Sequence, residues 1–264
     1  MAKSNRYSLI IEAIFLKSFK KGIKEIPFKR EEIETTAAKL KLALPKNLGD
    51  VLYSFRYRAS LPVSITSTAP KGYEWIIRST GRSLYSLALV KETYFKPTPH
   101  LAETKIPDST PGIINIYALS DEQALLAIVR YNRLIDIFTG LTCYSLQNHL
   151  RTTVPNIGQV ETDEIYIGID KKGVHFVIPV QAKGGSDKLG VVQIEQDFAL
   201  GKAKFPNLIC KPIAAQFMDN GSIALFEFDL TDNGIVVVSE KHYRLVLPDN
   251  LSQTEITNYQ TRIN

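Results

Sequence analysis

The stretch that most constrains the fold of this chain is QVETDEIYIGIDKKGVHFVIPVQAKGG, residues 159–185. It holds two runs of β-forming residues, and the polar segment Lys171–Gly173 between them has the composition of a tight turn. Two strands joined by such a short turn form an antiparallel hairpin, and the turn fixes which residues lie opposite each other. The turn makes Asp170 pair with Val174, so the residue numbers of every opposed pair add to 344.

Polar side chains at the end of the second strand are the unusual feature of this hairpin. Gln181 and Lys183 lie two residues apart, so they share one face of a strand that is otherwise apolar. Burying them there is costly unless they have partners. The predicted register places Asp163 opposite Gln181 and Glu161 opposite Lys183, and opposed residues share a face. The hairpin therefore predicts a cluster of two carboxylates, one amide and one ammonium group.

The predicted cluster has the composition of a site for a hard cation. Mg²⁺ binds oxygen ligands, usually one or two carboxylates, and completes its shell with water and substrate phosphate. We expect Asp163, Glu161 and Gln181 to be metal ligands, Ala182 to offer a main-chain carbonyl, and Mn²⁺ to substitute for Mg²⁺. A turn one residue longer or shorter would break this match and bring a neighbour of Asp163 opposite Gln181.

The segments around the hairpin indicate an α/β fold with a mixed sheet. Periodicity predicts helices before and after the hairpin and a strand after the second helix. A crossover helix places the strand that follows it parallel to the strand that precedes it. The predicted helices are Asp121–Phe138, with Asp121 as N-cap, Tyr144–Val154 and Asp187–Leu200, and the predicted strand is Leu208–Met218.

The first third of the chain predicts a separate module of three helices followed by a hairpin. This order is typical of a winged helix-turn-helix, in which the third helix enters the major groove of DNA and the hairpin touches the backbone. The predicted helices are Tyr7–Phe19, Phe28–Ala43 and Lys46–Arg58, and the predicted hairpin strands are Val63–Thr66 and Tyr73–Arg78. The expected DNA-binding residues are Lys46, Asn47, Ser54, Arg56 and Arg58 on the third helix, with Lys71 at the tip of the wing.

Charge is distributed unevenly along the chain, which agrees with a DNA-binding front end. Residues 1–96 hold eighteen Lys and Arg against eight Asp and Glu, whereas the remainder holds fourteen against nineteen. A basic module on an acidic body indicates that one part meets a polyanion. The two cysteines lack metal-ligand spacing and fit free thiols in a reducing cytoplasm. The sequence has no membrane-length apolar run and no Gly-rich nucleotide-binding loop, so we expect neither a membrane nor a nucleotide cofactor.

The spacing Asp163 … Gln181-Ala182-Lys183, set on two neighbouring strands between helices, resembles the PD-(D/E)XK nuclease superfamily. The resemblance covers roughly residues 119–218, and with the N-terminal module it is similar to type II restriction endonucleases that carry a separate DNA-reading domain. It implies a restriction-endonuclease-like core with Asp163, Glu161, Gln181 and Lys183 as catalytic residues. Gln181 stands where the family usually has a carboxylate, and Glu161 would supply the missing charge.

The expected function is Mg²⁺-dependent cleavage of double-stranded DNA at a specific sequence, leaving 5′-phosphates, by a homodimer. The expected domains are a winged helix-turn-helix at 1–95, a linker at 96–118 and a nuclease domain at 119–264. Two alternatives stay open. One is a repair or recombination nuclease that recognises DNA structure, and the other is a DNA-binding regulator whose sheet domain has no catalytic activity.

Overall fold

The structure is a computed structural model that describes residues 6–45, 47–91, 93–117, 122–185, 187–232 and 234–261, except the side chains of residues 50, 57 and 58. The chain divides into two compact units. The first unit comprises residues 1–95, 152–160 and 190–192, and the second comprises residues 96–151, 161–189 and 193–264. Among the described residues, no helix is long and apolar enough to cross a membrane.

The first unit combines short helices with a three-stranded antiparallel sheet of order β1-β3-β2. Its helices and strands, in chain order, are α1 (Arg6–Ser18), β1 (Glu25–Lys29), α2 (Arg30–Lys39), α3 (Gly49–Tyr53), a π-helix (Ser54–Arg58), α4 (Val63–Thr66), β2 (Glu74–Gly81), β3 (Leu84–Val90) and β4 (Tyr94–Phe95).

The core of the first unit forms where one face of α1 packs on the sheet. Ile10 and Ile14 recur at helical spacing and are buried, as is Phe15 beside them. Trp75 of β2 meets Phe15 edge-on, with ring centroids 5.1 Å apart, and its indole N–H donates to Thr68 Oγ1 at 3.0 Å. The buried indole therefore keeps a partner for its one polar group.

Two predictions for the first unit are corrected by these elements. Val63–Thr66 is a single helical turn and not a strand, because Pro62 precedes it and the turn buries Ile65 in the core. The hairpin is instead β2 with β3, so its tip is formed by Arg82 and Ser83. Lys71 lies in the loop before β2 and not at a hairpin tip.

The second unit is built on an eight-stranded mixed sheet of order β5-β13-β12-β11-β8-β7-β6, with β10 beside β8. Its elements, in chain order, are β5 (Glu103–Pro107), α5 (Gly112–Tyr117), α6 (Glu122–Tyr131), α7 (Leu134–Thr139), β6 (Thr142–Val154), β7 (Gly158–Ile169), β8 (His175–Lys183), β9 (Leu189–Gly190), α8 (Val191–Lys204), β10 (Ile209–Cys210), β11 (Ile213–Phe217), β12 (Ile223–Thr231), β13 (Gly234–Val246), a 3₁₀ turn (Pro248–Asn250) and α9 (Gln253–Gln260).

Neighbouring strands of the main sheet are antiparallel except beside the crossover helix and between β13 and β5, which are parallel. β7 and β8 are antiparallel, β8 and β11 are parallel, and β11, β12 and β13 follow as an antiparallel meander. α8 connects β8 to β11, which agrees with the predicted crossover. The mixed α/β class predicted from the sequence is confirmed.

Strand β8 is buried on both faces because a helix covers each of them. On one face, Ile178 and Val180 pack with Leu125 of α6. On the other face, α8 lies so close that a Cβ added at Gly201 would overlap the Cys210 sulfur and lie 3.6 Å from Val177. A fully buried strand reads as a continuous apolar run, which is the pattern in FVIPV.

The register of the β7–β8 hairpin is the predicted one. Cα partners run from Glu164 opposite Val180 to Ile169 opposite His175, and Gly173 closes the turn through its N–H to Asp170 O at 3.0 Å. The turn is held further because the Asp170 carboxylate accepts hydrogen bonds from main-chain amides of the turn. The predicted register is therefore confirmed from Glu164–Val180 to Ile169–His175, whereas the predicted pairs Asp163–Gln181 and Glu161–Lys183 lie beyond these pairs.

The sequence predicts a helix over Tyr144–Val154, and this prediction is wrong. The segment forms most of strand β6. It connects to β7 through three residues, a length that only antiparallel neighbours allow. Pairing with β7 outweighs local preference here, and the run Thr152–Val154 is itself rich in β-branched residues.

Three further predicted elements differ from the observed ones. The segment predicted as a linker contributes β5, which pairs in parallel with β13, and the short helix α5. The helix predicted to end at Phe138 is interrupted after Tyr131, because the Asn132 side chain bonds Ile128 O and Thr110, and Arg133 takes a left-handed conformation. The strand predicted at Leu208–Met218 is split at Pro212, which has no N–H to donate.

Candidate active site

Gln181 lies at the centre of a buried polar network at the end of β8. Its side chain is 1% exposed, and its Nε2 lies 3.1 and 3.0 Å from the two carboxylate oxygens of Asp197. The same amide nitrogen is 3.3 Å from Glu161 O, and Gln181 Oε1 accepts from Gln193 Nε2 at 3.4 Å. Hydrogen bonds to both the nitrogen and the oxygen of the side-chain amide therefore compensate the cost of burying Gln181.

Asp163 lies beside Gln181 on the neighbouring strand. Its carboxylate accepts a hydrogen bond from the Ala182 N–H at 2.8 Å, so a side chain satisfies this main-chain amide. Burial raises the pKa of Asp163, although the Ala182 amide and the positive charge of Lys183 act in the opposite direction. The carboxylate is thus close enough to Lys183 for their charges to interact.

Lys183 ends β8 on the same face as Gln181, since the two are separated by one residue. Its Nζ donates to Glu122 Oε1 at 2.6 Å, and its side chain is 10% exposed whereas that of Glu122 is 37% exposed. An ammonium so little exposed needs a charged partner, and Glu122, at the first turn of α6, is that partner. Lys183 is therefore held at the edge of the cluster.

Asp197 of α8 is the most buried acid of the network. Its pKa is raised well above the usual value, first by burial and then by the nearby charge of Asp163. Gln181 and Thr162 donate to its carboxyl group and act in the opposite direction. Two acids, Asp163 and Asp197, therefore lie on either side of Gln181 and influence each other's protonation.

Glu161 and Glu164 are not carboxylate members of this network. The Glu161 side chain is 48% exposed and lies 3.4 Å from His149 Nε2, so only its main-chain oxygen contacts Gln181. Glu164 belongs to the opposite face of the sheet, where it is buried and pairs with Arg130 at 3.0 Å. The structure brings Asp163, Gln181 and Lys183 together and turns the Glu161 carboxylate elsewhere.

The donor set fits a hard cation in its chemistry. Asp163, Asp197 and the Gln181 carbonyl are oxygen donors, and Mg²⁺ commonly takes only one or two carboxylates from a protein. Across the described residues, however, no group of three or more His, Cys, Asp and Glu side chains is arranged to hold a metal ion. Ala182, predicted to contribute its carbonyl, instead contributes its amide to Asp163.

The DNA-binding residues predicted for the first unit differ in the elements that hold them and in their exposure. Asn47 is exposed, and its side chain accepts from the Gly49 amide at 3.0 Å, which holds the start of α3. Ser54 and Arg56 lie on the π-helix and are partly buried, whereas Lys71 is exposed in its loop. Lys46 and the side chain of Arg58 lie outside the described residues. Arg82, exposed at the hairpin tip, occupies the position expected of Lys71.

Two residues of the network, Asp197 and Glu122, are absent from the sequence prediction. Asp197 follows Gln193 by four residues on the predicted helix Asp187–Leu200, so the two polar side chains share one face of that helix. That spacing is a usable signal. Glu122 had no such signal, because an acid in the first turn of a helix is ordinary.

No family model, no curated protein and no solved structure matches this chain. The fold and the site define its class as a mixed α/β protein with a buried cluster of carboxylate, amide and ammonium groups where the end of β8 lies beside β7.

Proposed function

We propose that this chain is a Mg²⁺-dependent endonuclease of the PD-(D/E)XK type that hydrolyses double-stranded DNA at a specific sequence. The observation that carries the proposal is the grouping of Asp163 on β7 with Gln181 and Lys183 at the end of β8, each of which has a hydrogen-bond partner. Such a group is expensive to bury, which makes a functional role the better explanation.

The order of elements in the second unit supports the proposal. A helix, α6, precedes three sequential neighbouring strands, and α8 then leads to β11, which is parallel to β8. The resemblance in the sequence implied helices on either side of the strands that carry the motif. Tyr144–Val154, predicted as the preceding helix, is strand β6, so the helices that precede the strands are α6 and α7; the following helix is α8.

The residues of the cluster would divide the work of phosphodiester hydrolysis. Asp163 and Asp197, with the Gln181 carbonyl, would hold Mg²⁺, which supplies charge neutralisation at the phosphate and a lowered pKa for bound water. Lys183 would stabilise negative charge that develops on the phosphoryl oxygens. Water attacks phosphorus, the bond to the 3′ oxygen breaks, and that oxygen takes up a proton, which leaves a 5′-phosphate and a 3′-hydroxyl.

Asp197 would supply the charge that a glutamine at position 181 lacks. Glu161 was expected in that role, but its carboxylate faces His149 and is half exposed. Asp197 contacts Gln181 directly and interacts with Asp163. Glu122 would hold Lys183 in place through its 2.6 Å contact.

DNA recognition would belong to the first unit. Its helices and its sheet order β1-β3-β2, with a hairpin tipped by Arg82, support a winged helix-turn-helix. Its excess of positive charge favours binding to a polyanion. We place the protein in the cytoplasm as a homodimer, because cutting both strands of a two-fold symmetric site takes two active centres.

A regulator that binds DNA without cutting it is the second candidate. It is favoured by the absence of a three-acid metal group within the described part of the chain and by the pairing of Lys183 with Glu122. In that case the network would serve only to hold α6 and α8 against the sheet.

Incubation with supercoiled plasmid separates these functions. Discrete bands that need Mg²⁺, vanish with EDTA and vanish in Lys183→Ala would support the endonuclease. Lys172→Ala is the matched control, since that lysine is exposed in the β7–β8 turn. Cleavage only at junctions or damaged sites would favour a repair nuclease. Retention of DNA without cleavage, unchanged by Lys183→Ala, would favour the regulator.

A further inference from the structure

The two edges of the main sheet differ in how they are protected. On the β5 edge, Glu103 and Lys105 carry charges and Pro107 ends the strand. The Lys105 main-chain N–H donates a hydrogen bond to the hydroxyl group of Tyr259 on α9 at 3.0 Å. Charges, proline and a covering element are the usual means of preventing an edge strand from pairing with another chain. The β5 edge therefore has every such protection.

The β6 edge has none of these protections over most of its length. In the described residues, β6 has β7 on one side and ends the sheet on the other. The stretch 142–150, TCYSLQNHL, holds no Lys, Arg, Asp, Glu or Pro. Tyr144 and Leu146, two residues apart on one face, are 64% and 55% exposed. Such a strand is an expected site of pairing.

The regular part of this edge has clear limits. His149 takes a left-handed conformation with φ of 50°, which interrupts the extended backbone at that point. At the other end, the Cys143 amide already donates to Asp136 Oδ1 at 2.9 Å. The stretch between these limits, residues 144–148, includes both Ser145 and Leu146.

We propose that β6 pairs antiparallel with β6 of a second copy of this chain, about a two-fold axis near Ser145. In this register Tyr144 lies opposite Leu146 of the partner subunit, an aromatic and aliphatic cross-strand pair of the kind that stabilises sheets. The stretch 142–150 holds no charged residue, so pairing this stretch of two copies brings no like charges together. A surface made for DNA would carry Lys or Arg, which this stretch lacks.

This inference deepens the proposed function and rests on it only for its purpose, which is to bring two active centres to one symmetric DNA site. Pairing of the β6 edges does not depend on catalysis. The mass of the protein in solution therefore tests the inference whether or not the protein cuts DNA.

The test is molar mass by light scattering after size exclusion, at one protein concentration. The wild type is expected to have the molar mass of a dimer, twice 29.6 kDa, and Leu146→Lys is expected to have the molar mass of a monomer, half of that value. Val238→Lys is the matched control, because Val238 is 52% exposed on β13, which four strands of the sheet separate from β6. It is expected to keep the wild-type mass.

Circular dichroism shows whether Leu146→Lys is folded, and Tyr144→Lys replaces it if it is not. A monomeric wild type, dimeric Leu146→Lys and Tyr144→Lys variants, or a monomeric Val238→Lys would each overturn the inference. Plasmid cleavage is measured on the same samples, and the monomeric variant is expected to nick one strand. A wild-type dimer that cuts no DNA would refute the proposed function and leave the pairing intact.

Discussion

Replacing Gln181 by glutamate tests the buried network where it is most sensitive to charge. The wild-type amide donates to both oxygens of Asp197, at 3.1 and 3.0 Å, from a side chain that is 1% exposed. Glutamate has nearly the same shape but no N–H, so the substitution removes the donor and places a second carboxylate against Asp197. The change is therefore electrostatic and not steric.

The expected cost follows from two contributions. Leaving a buried acceptor without its donor costs about 1–3 kcal/mol. Adding an unpaired buried charge brings the expected loss in free energy of unfolding to roughly 3–5 kcal/mol at pH 8 in metal-free buffer. At pH 5 the loss should be smaller, because a proton shared between the two acids restores a hydrogen bond. Gln253→Glu, on the exposed face of α9, should change stability by about 0.5 kcal/mol or less.

Urea unfolding followed by far-UV circular dichroism measures this effect, since the single tryptophan, Trp75, lies in the other unit and would not report on it. The double variant Gln181→Glu with Asp197→Asn reverses the direction of the hydrogen bond, and it should recover about 1–3 kcal/mol relative to additivity. Equal midpoints for Gln181→Glu and Gln253→Glu, or a strictly additive double variant, would refute the network.

Three further predictions concern stability. Gly201→Ala should lower the unfolding free energy by about 1–3 kcal/mol, because the added Cβ would lie 2.9 Å from Cys210 Cβ; an unchanged urea midpoint would contradict the packing of α8. Burial raises the pKa of Asp197, so the stability that its protonated form gives the protein is lost as pH rises. The melting temperature of the wild type in EDTA should therefore fall from pH 5 to pH 8 more steeply than that of Asp197→Asn. Arg244 lowers the pKa of Glu103 to about 2, so this ion pair stabilises the protein at neutral pH and the stabilisation is lost as pH falls. Glu103→Gln should have a lower melting temperature than the wild type at pH 7, and the difference between the two melting temperatures should be smaller at pH 3.

The hairpin was predictable from the sequence because its information is local. A three-residue turn and a period of two fix the register, so Asp163, Gln181 and Lys183 could be placed on one face before any coordinates were known. Their partners could not. Asp197 and Glu122 reach the cluster from helices 14 residues after and 61 residues before Lys183, and only tertiary packing decides which face of each helix meets the sheet.

The errors in secondary structure have a common physical cause. An edge strand such as β6 is exposed on both faces from Tyr144 to His149, so it lacks the alternation that identifies a strand. The β-branched run Val63–Thr66 became a helical turn because burying Ile65 mattered more than the intrinsic preference of four residues. In both cases the environment, which the sequence does not state, determined the outcome.

The rate of Mg²⁺-dependent plasmid cleavage by the wild type and by Asp163→Asn, with enzyme in excess over DNA, tests whether the Asp163 carboxylate takes part in DNA hydrolysis. Asparagine keeps an oxygen to accept the Ala182 amide, so this variant should stay folded while it loses the carboxylate charge. Asp219→Asn, exposed and distant in sequence, is the control. We expect the wild type to cleave DNA in a reaction that EDTA abolishes, and only Asp163→Asn to lose about a hundredfold or more of that rate. A wild type that cuts no DNA with Mg²⁺, or an Asp163→Asn variant that cuts as fast as the wild type, would contradict this expectation.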